Sequence, residues 1–304
     1  MSKYAIVIHA GAETVKPETV GPEKEKKYKE GLKQALQAGY EILERGGSAM
    51  DAVEAAVKSM EDFPLFNAGK GANLNEQGDP MFDAAIMDGK ELKAGAVCSI
   101  HHVKHPITLA RAVMEESKHV LLSGEGAEEF AKDQGLEMED SAYFITEERE
   151  KKWKEKQEEE LTGQHDTVGA VAVDKNGNVA AATSTGGLAY MHKGRVGDSP
   201  IIGGGTYAHN AYCAVSCTGE GEPIMKGVLA HEVCARIKYA GNSLQQACSE
   251  AVKVDDDKLQ GDKGIIAVSP TGEVAIAFNT NQMKRAYRVE GEEPFVAVWK
   301  GDNT

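Results

Sequence analysis

His165-Asp166-Thr167-Val168-Gly169-Ala170-Val171-Ala172-Val173-Asp174 divides the chain into two unlike parts. Upstream, residues 147–160 are almost entirely Glu, Lys and Arg around a lone Trp153. With balanced charges and no apolar stripe, they read as a solvated helix or flexible tether. Downstream, residues 168–173, a Lys175-Asn176-Gly177-Asn178 turn and residues 179–183 carry the pattern of a tight β-hairpin. Thr167 sits on the seam, as the first residue of an apolar strand.

That position has a chemical consequence. A threonine hydroxyl is a weak nucleophile and needs a neighbouring base. Inside a chain its own nitrogen is an amide and is not basic. A cut between Asp166 and Thr167 would turn that nitrogen into an α-amine of pKa about 8, able to take the hydroxyl proton at neutral pH. The β-branch restricts χ1 and helps keep hydroxyl and amine together. On these residues alone, an ordinary threonine opening a strand remains the plainer reading.

The 304 residues allow one large domain or two small ones, and 41% hydrophobic residues are enough for a sizeable core. A net charge of −14 argues against nucleic acid and anionic membranes, because no basic field attracts them. The first apolar run is too short for a signal peptide and no span of about 18 apolar residues occurs, so a cytoplasmic protein is expected. The five cysteines form no CxxC pair and read as buried, reduced thiols.

Strands are expected over 4–9, 72–74, 80–87, 95–100, 212–217, 264–268, 273–278 and 295–299. Helices are expected over 23–45, from a Ser48 cap through Met60, and over 106–116, 123–133, 223–239 and 243–252. Strand pairs come as hairpins, which favours antiparallel sheets packed with helices, an α+β class, over a doubly wound parallel sheet.

Several chemistries compete. His231-Glu232-Val233-Cys234-Ala235 begins like a zinc-protease motif but lacks the second histidine. His101, His102 and His105 form a cluster that more often is a polar strand end. The Gly203-Gly204-Gly205 run lacks phosphate-loop spacing. Thr185 and Thr218 each end an apolar strand in a glycine-containing turn. Arg195 and Asp198 lie three apart in a glycine-flanked loop. That pair suits a zwitterion, with guanidinium for an α-carboxylate and carboxylate for an α-ammonium; a surface salt bridge fits it equally.

Motifs along the chain then combine. They are Ile8-His9-Ala10-Gly11-Ala12, Leu65-Phe66-Asn67-Ala68-Gly69, Asp83-Ala84-Ala85-Ile86-Met87-Asp88-Gly89, Ala94-Gly95-Ala96-Val97, Gly124-Glu125-Gly126-Ala127, Thr167-Val168-Gly169-Ala170-Val171-Ala172, Thr183-Ser184-Thr185-Gly186-Gly187, Gly194-Arg195-Val196-Gly197-Asp198-Ser199-Pro200 and Ser216-Cys217-Thr218-Gly219. In these runs and their order the chain resembles the plant-type L-asparaginase and isoaspartyl aminopeptidase family of N-terminal-nucleophile hydrolases.

The resemblance implies a four-layer αββα sandwich, self-cleaved into an α subunit (1–166, with a flexible linker over about 145–166) and a β subunit (167–304), assembled as (αβ)₂. It implies hydrolysis of L-asparagine and β-aspartyl dipeptides without a catalytic cofactor. Thr167 would be the nucleophile and Thr185 its tuning neighbour. Arg195 would bind the substrate α-carboxylate, and Asp198 with the Gly221 carbonyl the α-ammonium. Thr218 Oγ and Gly219 N–H would form the oxyanion hole, with Asn67 in support. The loop carrying Met60, Glu61, Phe63, Phe66, Ala68 and Lys70 resembles the family's structural sodium site, built on backbone carbonyls. One departure stands out. The residue before the nucleophile is usually Gly, and here it is Asp166, which suggests the glycosylasparaginase branch; Gly186-Gly187 and the His9-Ala10-Gly11 start favour the plant-type branch. Asp166 is expected to act in cleavage, by accepting a proton or straining the turn. Glycosylasparaginase activity and an uncleaved, non-enzymatic scaffold are the alternatives.

Overall fold

Every residue of the strands on either side of the Lys175–Asn178 turn is buried, which requires cover on both faces of their sheet. The computed structural model describes residues 3–158, 166–253 and 257–302. In chain order the strands are β1 (Ala5–Glu13), β2 (Phe82–Asp88), β3 (Ala94–Ile100), β4 (Leu121–Ser123), β5 (Val168–Val173), β6 (Val179–Thr185), β7 (Thr206–His209), β8 (Cys213–Gly219), β9 (Lys263–Val268), β10 (Val274–Phe278), β11 (Gln282–Val289) and β12 (Phe295–Trp299). The helices are α1 (Pro22–Glu44), α2 (Ala49–Glu61), α3 (Pro106–Glu116), α4 (Gly124–Asp133), α5 (Ser141–Phe144), α6 (Glu147–Glu158), α7 (Gly221–Lys226), α8 (Leu229–Ala235) and α9 (Leu244–Val252).

An eight-stranded sheet runs β12-β11-β1-β5-β6-β2-β3-β4 and a four-stranded sheet runs β10-β9-β8-β7. Pairing is antiparallel except between β3 and β4. Alternating side chains sort into layers. Ile6, Ile8, Ala170 and Ala172 pack with Leu32 and Leu36 of α1 and Val53 and Val57 of α2. Ala5, Val7, Val171 and Val173 point the other way, against Ala214, Ile266 and Val268 of the second sheet. The outer face of that sheet, with Val215, Cys217, Ile265 and Ala267, is covered by Val233, Cys234, Ala247 and Cys248 of α8 and α9. The order is helix, sheet, sheet, helix, the αββα sandwich expected from the resemblance. Each fully buried Val or Ile contributes about 1.5–3 kcal/mol of transfer free energy, so the two strand faces together outweigh any single helix cap.

The register places the site. Val168 lies opposite Ser184, which brings the residue before β5 level with Thr185 at the end of β6. The ends of β5, β6 and β8 therefore gather Thr167, Thr185 and Gly219 at one edge of the two sheets.

Four differences from the sequence expectations have physical causes. Residues 72–74 form only a bridge between Leu74 and Pro80. The helix expected over 223–239 breaks at Val228, which takes a left-handed φ of 48°; there the Ala230 and His231 N–H groups donate to the Gly204 and Gly203 carbonyls, so α8 is capped by the glycine run. β4, β7 and β11 were not expected as strands. The segment expected as a loose tether begins with α6, and Arg149 and Trp153 fasten that helix. Arg149 Nε donates to the Gly71 carbonyl and Nη1 to Asn73 Oδ1 at 2.6 and 2.8 Å, and Trp153 Nε1 donates to the Asn75 carbonyl at 2.8 Å. Residues 159–165 of the expected linker lie outside the described residues.

Candidate active site

Thr167 Oγ1 donates to Thr185 Oγ1 at 3.3 Å. Thr185 Oγ1 donates to the Asp166 carbonyl at 3.2 Å and accepts the Gly187 N–H at 3.1 Å. Asn67 Nδ2 reaches the same Asp166 carbonyl at 2.6 Å and the Gly187 carbonyl at 2.7 Å, while the Asn73 N–H fixes Asn67 Oδ1 at 2.7 Å. The carbonyl of the residue before Thr167 thus receives two side-chain donors in the chain as it stands. Donors aimed at a carbonyl oxygen stabilise the charge that develops there when the carbon is attacked.

The Thr167 backbone is held from the other side. His9 Nδ1 donates to the Thr167 carbonyl at 3.0 Å, and Nε2 accepts from Ser216 Oγ at 2.9 Å. Ser216 continues to Thr183 at 2.8 Å, and Thr206 donates to Thr183 at 2.7 Å. Burial pushes the His9 ring down to about 3, so it is neutral and its two nitrogens keep these separate roles.

Thr167, Thr185, Arg195, Asp198, Gly219 and Gly221 line one cleft with Asp166, Gly187, Leu188, Gly197 and Ser199. Its cavity is about 10 Å³, room for roughly one water. A groove of about 910 Å³ beside β10 and β12 is far larger but contains none of these residues. Chemistry, not volume, marks the site.

Asp198 is 4% exposed, and its Oδ2 has no hydrogen-bond partner. Burial pushes its carboxyl up to about 7, against the partial relief of its own backbone N–H and of Arg195. Arg195 does not pair with Asp198. Its Nε and Nη2 grip Glu222, both at 3.0 Å, in a bidentate fork. That fork is what orients the guanidinium. Thr218 Oγ1, fully buried at the end of β8, also lacks a partner, as does Ser199 Oγ in the cleft wall. Buried polar groups are normally satisfied, so the open Asp198 carboxylate oxygen and Ser199 hydroxyl of the cleft wall, and the open Thr218 hydroxyl beside Gly219 of that wall, are groups a ligand could satisfy.

The loop 60–70 doubles back, with the Lys70 N–H donating to the Glu61 carbonyl at 2.7 Å and the Phe66 N–H to the Phe63 carbonyl at 3.1 Å. The Glu61 side chain leaves the loop, where Oε1 accepts from Ser184 Oγ at 2.7 Å and the Ile107 N–H at 3.0 Å. Burial pushes its carboxyl up to about 8, so it adds little negative charge. A turn that offers backbone carbonyls and no carboxylate suits a monovalent cation rather than a divalent one. Of the residues named for it, Met60, Glu61 and Phe63 already spend their carbonyls on backbone N–H groups of the loop.

The three histidines near position 102 diverge: His101 contacts the Pro80 carbonyl, His102 the Glu139 carbonyl and His105 the Asp62 carboxylate. The five cysteines are buried and free. Among the described residues, no helix is long and apolar enough to cross a membrane. Sequence reasoning missed Glu222 and Ser199. Ser199 lies within a quoted motif and Glu222 three residues beyond another, and their surroundings could be read only from the fold.

The family model described as asparaginase matches residues 2–298. An isoaspartyl peptidase of Salmonella typhimurium is 43% identical over 99% of this chain and 100% of its own length. An isoaspartyl peptidase/L-asparaginase of Xenopus laevis is 42% identical over 99% and 97%. A probable isoaspartyl peptidase/L-asparaginase of Arabidopsis thaliana is 39% identical over 99% and 100%. With a threonine at a strand mouth, two donors on the preceding carbonyl and a match that runs almost end to end, the chain belongs to the asparaginase family.

Proposed function

We propose that this chain is a self-processed threonine amidohydrolase acting on L-asparagine and β-aspartyl dipeptides. The observation that carries the proposal is that Thr167 shares one cleft with Asp198, whose buried Oδ2 has no partner, and with Gly219, the neighbour of the open Thr218 hydroxyl. The names of its relatives, isoaspartyl peptidase and L-asparaginase, supply the same substrate class.

Processing would begin when Thr167 Oγ1 attacks the Asp166 carbonyl carbon. The C–O bond forms, the C–N bond breaks, and the hydroxyl proton moves to the departing nitrogen. Asn67 and Thr185 hold the oxygen on which charge develops. Water then hydrolyses the ester, leaving an Asp166 α-carboxylate and a free Thr167 amine. In the processed enzyme that amine takes the hydroxyl proton and Oγ1 attacks the substrate's side-chain amide carbon. Thr218 Oγ1 and the Gly219 N–H face the oxyanion, and Arg195 and Asp198 hold the α-carboxylate and α-ammonium. Ammonia or an amino acid leaves with the amine's proton, and water releases L-aspartate. A structural Na⁺ in the 60–70 loop, an (αβ)₂ assembly and a cytoplasmic location, for which the five free thiols suit a reducing compartment, belong to the same proposal. No chemical step uses the ion.

Intact mass under denaturing conditions tests the cut. Wild type should yield fragments meeting at 166/167 and Thr167→Ala should stay whole; an intact wild type overturns the reading. In cleaved enzyme, Thr218→Val keeps shape and loses the donor, so kcat should fall on the order of 10²-fold. β-Aspartyl-leucine should be turned over faster than GlcNAc–asparagine; the reverse order would make glycosylasparaginase the better description.

A further inference from the structure

β1 and β11 lose their one-to-one register beside the seam. His9 pairs with Arg285 and Ala12 with Met283, so Ala10 and Gly11 together stand opposite Lys284. A two-against-one bulge of this kind bends a strand and re-aims its side chains. Gly11 has a φ of +102°, and a Cβ there would lie 1.8 Å from Asp166 Oδ1. The Asp166 carboxylate therefore occupies the room that a side chain at position 11 would take.

Lys284 closes that seat. Its side chain is 1% exposed, and its Nζ lies 2.7 Å from Asp166 Oδ1 and 3.7 Å from Glu13 Oε1. Tyr28 of α1 presents its ring to the same ammonium at 5.3 Å. Three buried ionisable groups at one place are tolerable only if they neutralise one another. Burial, with the Asp166 charge and hydrogen bond adding to it, pushes the Glu13 carboxyl up to about 8, so it is a neutral acid that donates to Asp166. Burial opposes ionisation of Asp166, but the Lys284 charge, the hydrogen bonds from Glu13 and Lys284 and the more distant Arg149 of α6 hold it well below the usual carboxylate range. Lys284 keeps its proton chiefly because the Asp166 charge overcomes its own burial. His9, close by, is neutral. A carboxylate so strongly paired is a poor proton acceptor, so the expected role of Asp166 as a base in cleavage is not supported.

We propose that the Lys284–Asp166 pair is a positioning device for self-cleavage: it pins the residue before Thr167 by its side chain, so that its carbonyl stays against Asn67 and Thr185. The proposal rests on the reading that this chain cuts itself. The carboxylate seat and the carbonyl donors hold Asp166 from two sides, leaving Thr167 Oγ1 facing a carbon that cannot swing away. Attack geometry is sensitive to displacements of about 1 Å, which can cost on the order of 10²-fold in rate.

Full-length chains made in a cell-free reaction, with fragments at 166/167 timed by intact mass, test this. Lys284→Met should cut at least about tenfold more slowly than wild type. In an Asp166→Gly background the same substitution should change the rate by less than about threefold, because no carboxylate remains to be held. A Lys284→Met chain that fails to fold is replaced by Asp166→Asn. That variant keeps the shape, lets Glu13 ionise and pair with Lys284, and should cut at least about threefold more slowly than wild type. A wild-type rate in folded Lys284→Met overturns the proposal, as does a wild-type rate in Asp166→Asn where Lys284→Met does not fold. So does an equal slowing by Lys284→Met in both backgrounds, which is what a merely structural lysine would give. A wild-type chain that never cuts overturns the processing reading and this proposal together, whereas a wild type that cuts no faster than Lys284→Met overturns this proposal alone.

Discussion

In the proposed function Asp198 would read the ligand's ammonium only when ionised, and its surroundings make that conditional. Burial holds the carboxyl up to about 7, above the usual carboxylate value of about 4. Below that pH the carboxyl is neutral and offers an ammonium no charge. Between about pH 5 and 7 L-aspartate itself changes charge little. The dissociation constant of L-aspartate for the cleaved enzyme should therefore rise as the pH falls from about 7 to 5, as Asp198 takes up its proton. Calorimetric titration across that range checks it, and a constant affinity down to pH 5 would remove Asp198 from the ammonium site. The spacing of Arg195 and Asp198 already suggested a zwitterion reader. What the spacing could not give was the partner of Arg195, because Glu222 comes 27 residues later and reaches it only through the turn after β8. Lys284 was harder still. A lone lysine in a run with two arginines looks like a solvated strand face, and only the bulge at Gly11 turns it inward.

At the scale of elements, those that keep to a local rule were legible and those shaped by distant contacts were not. Helix α3 has the expected bounds, with Pro106 in its first turn, and Ser48 caps α2 by accepting the Asp51 N–H at 3.1 Å. The β5–β6 hairpin follows from its turn. β11 escaped notice because Lys284, Arg285 and Arg288 interrupt its apolar pattern, although Lys284 and Arg285 are buried. The 223–239 helix broke because the Gly203–Gly205 run reached over to cap α8, a contact that no propensity encodes. That run also supports the site. Gly205 lies so close that a Cβ would be 2.6 Å from the Asp198 carbonyl and 2.7 Å from its Oδ2. Gly205→Ala should therefore push Asp198 out of the cleft and raise KM for L-asparagine by about tenfold or more, the scale of a lost charge-assisted contact. Steady-state kinetics on cleaved enzyme decides it, and an unchanged KM would mean that Asp198 adjusts without cost.

Across the whole molecule, the apolar runs announced buried strands, but the four layers came from the family resemblance. β1 lies between β5 and β11, partners more than a hundred residues away along the chain, and no local pattern specifies such pairings. The same long-range assembly produces a closed site. Asp166 is part of the cleft wall, its carbonyl tied to Asn67 and Thr185 and its carboxylate to Lys284. The roughly 10 Å³ cavity that remains is that of one water, many times too small for an amino acid. Cutting the chain and opening the cleft should then be one event: until Asp166 is free to leave, the partners of the zwitterion are present but unreachable. Two forms with alanine at position 167 separate this from any contribution of the threonine itself. One is the continuous Thr167→Ala chain. The other is residues 1–166 and 167–304 produced as separate chains with the same substitution. They differ only in the 166–167 bond. The split form should bind L-aspartate at least about tenfold more tightly, because the continuous one must first break the Asp166 contacts to make room. Equal affinities would mean that the cleft opens with the bond intact, and the cut would then serve only to create the α-amine.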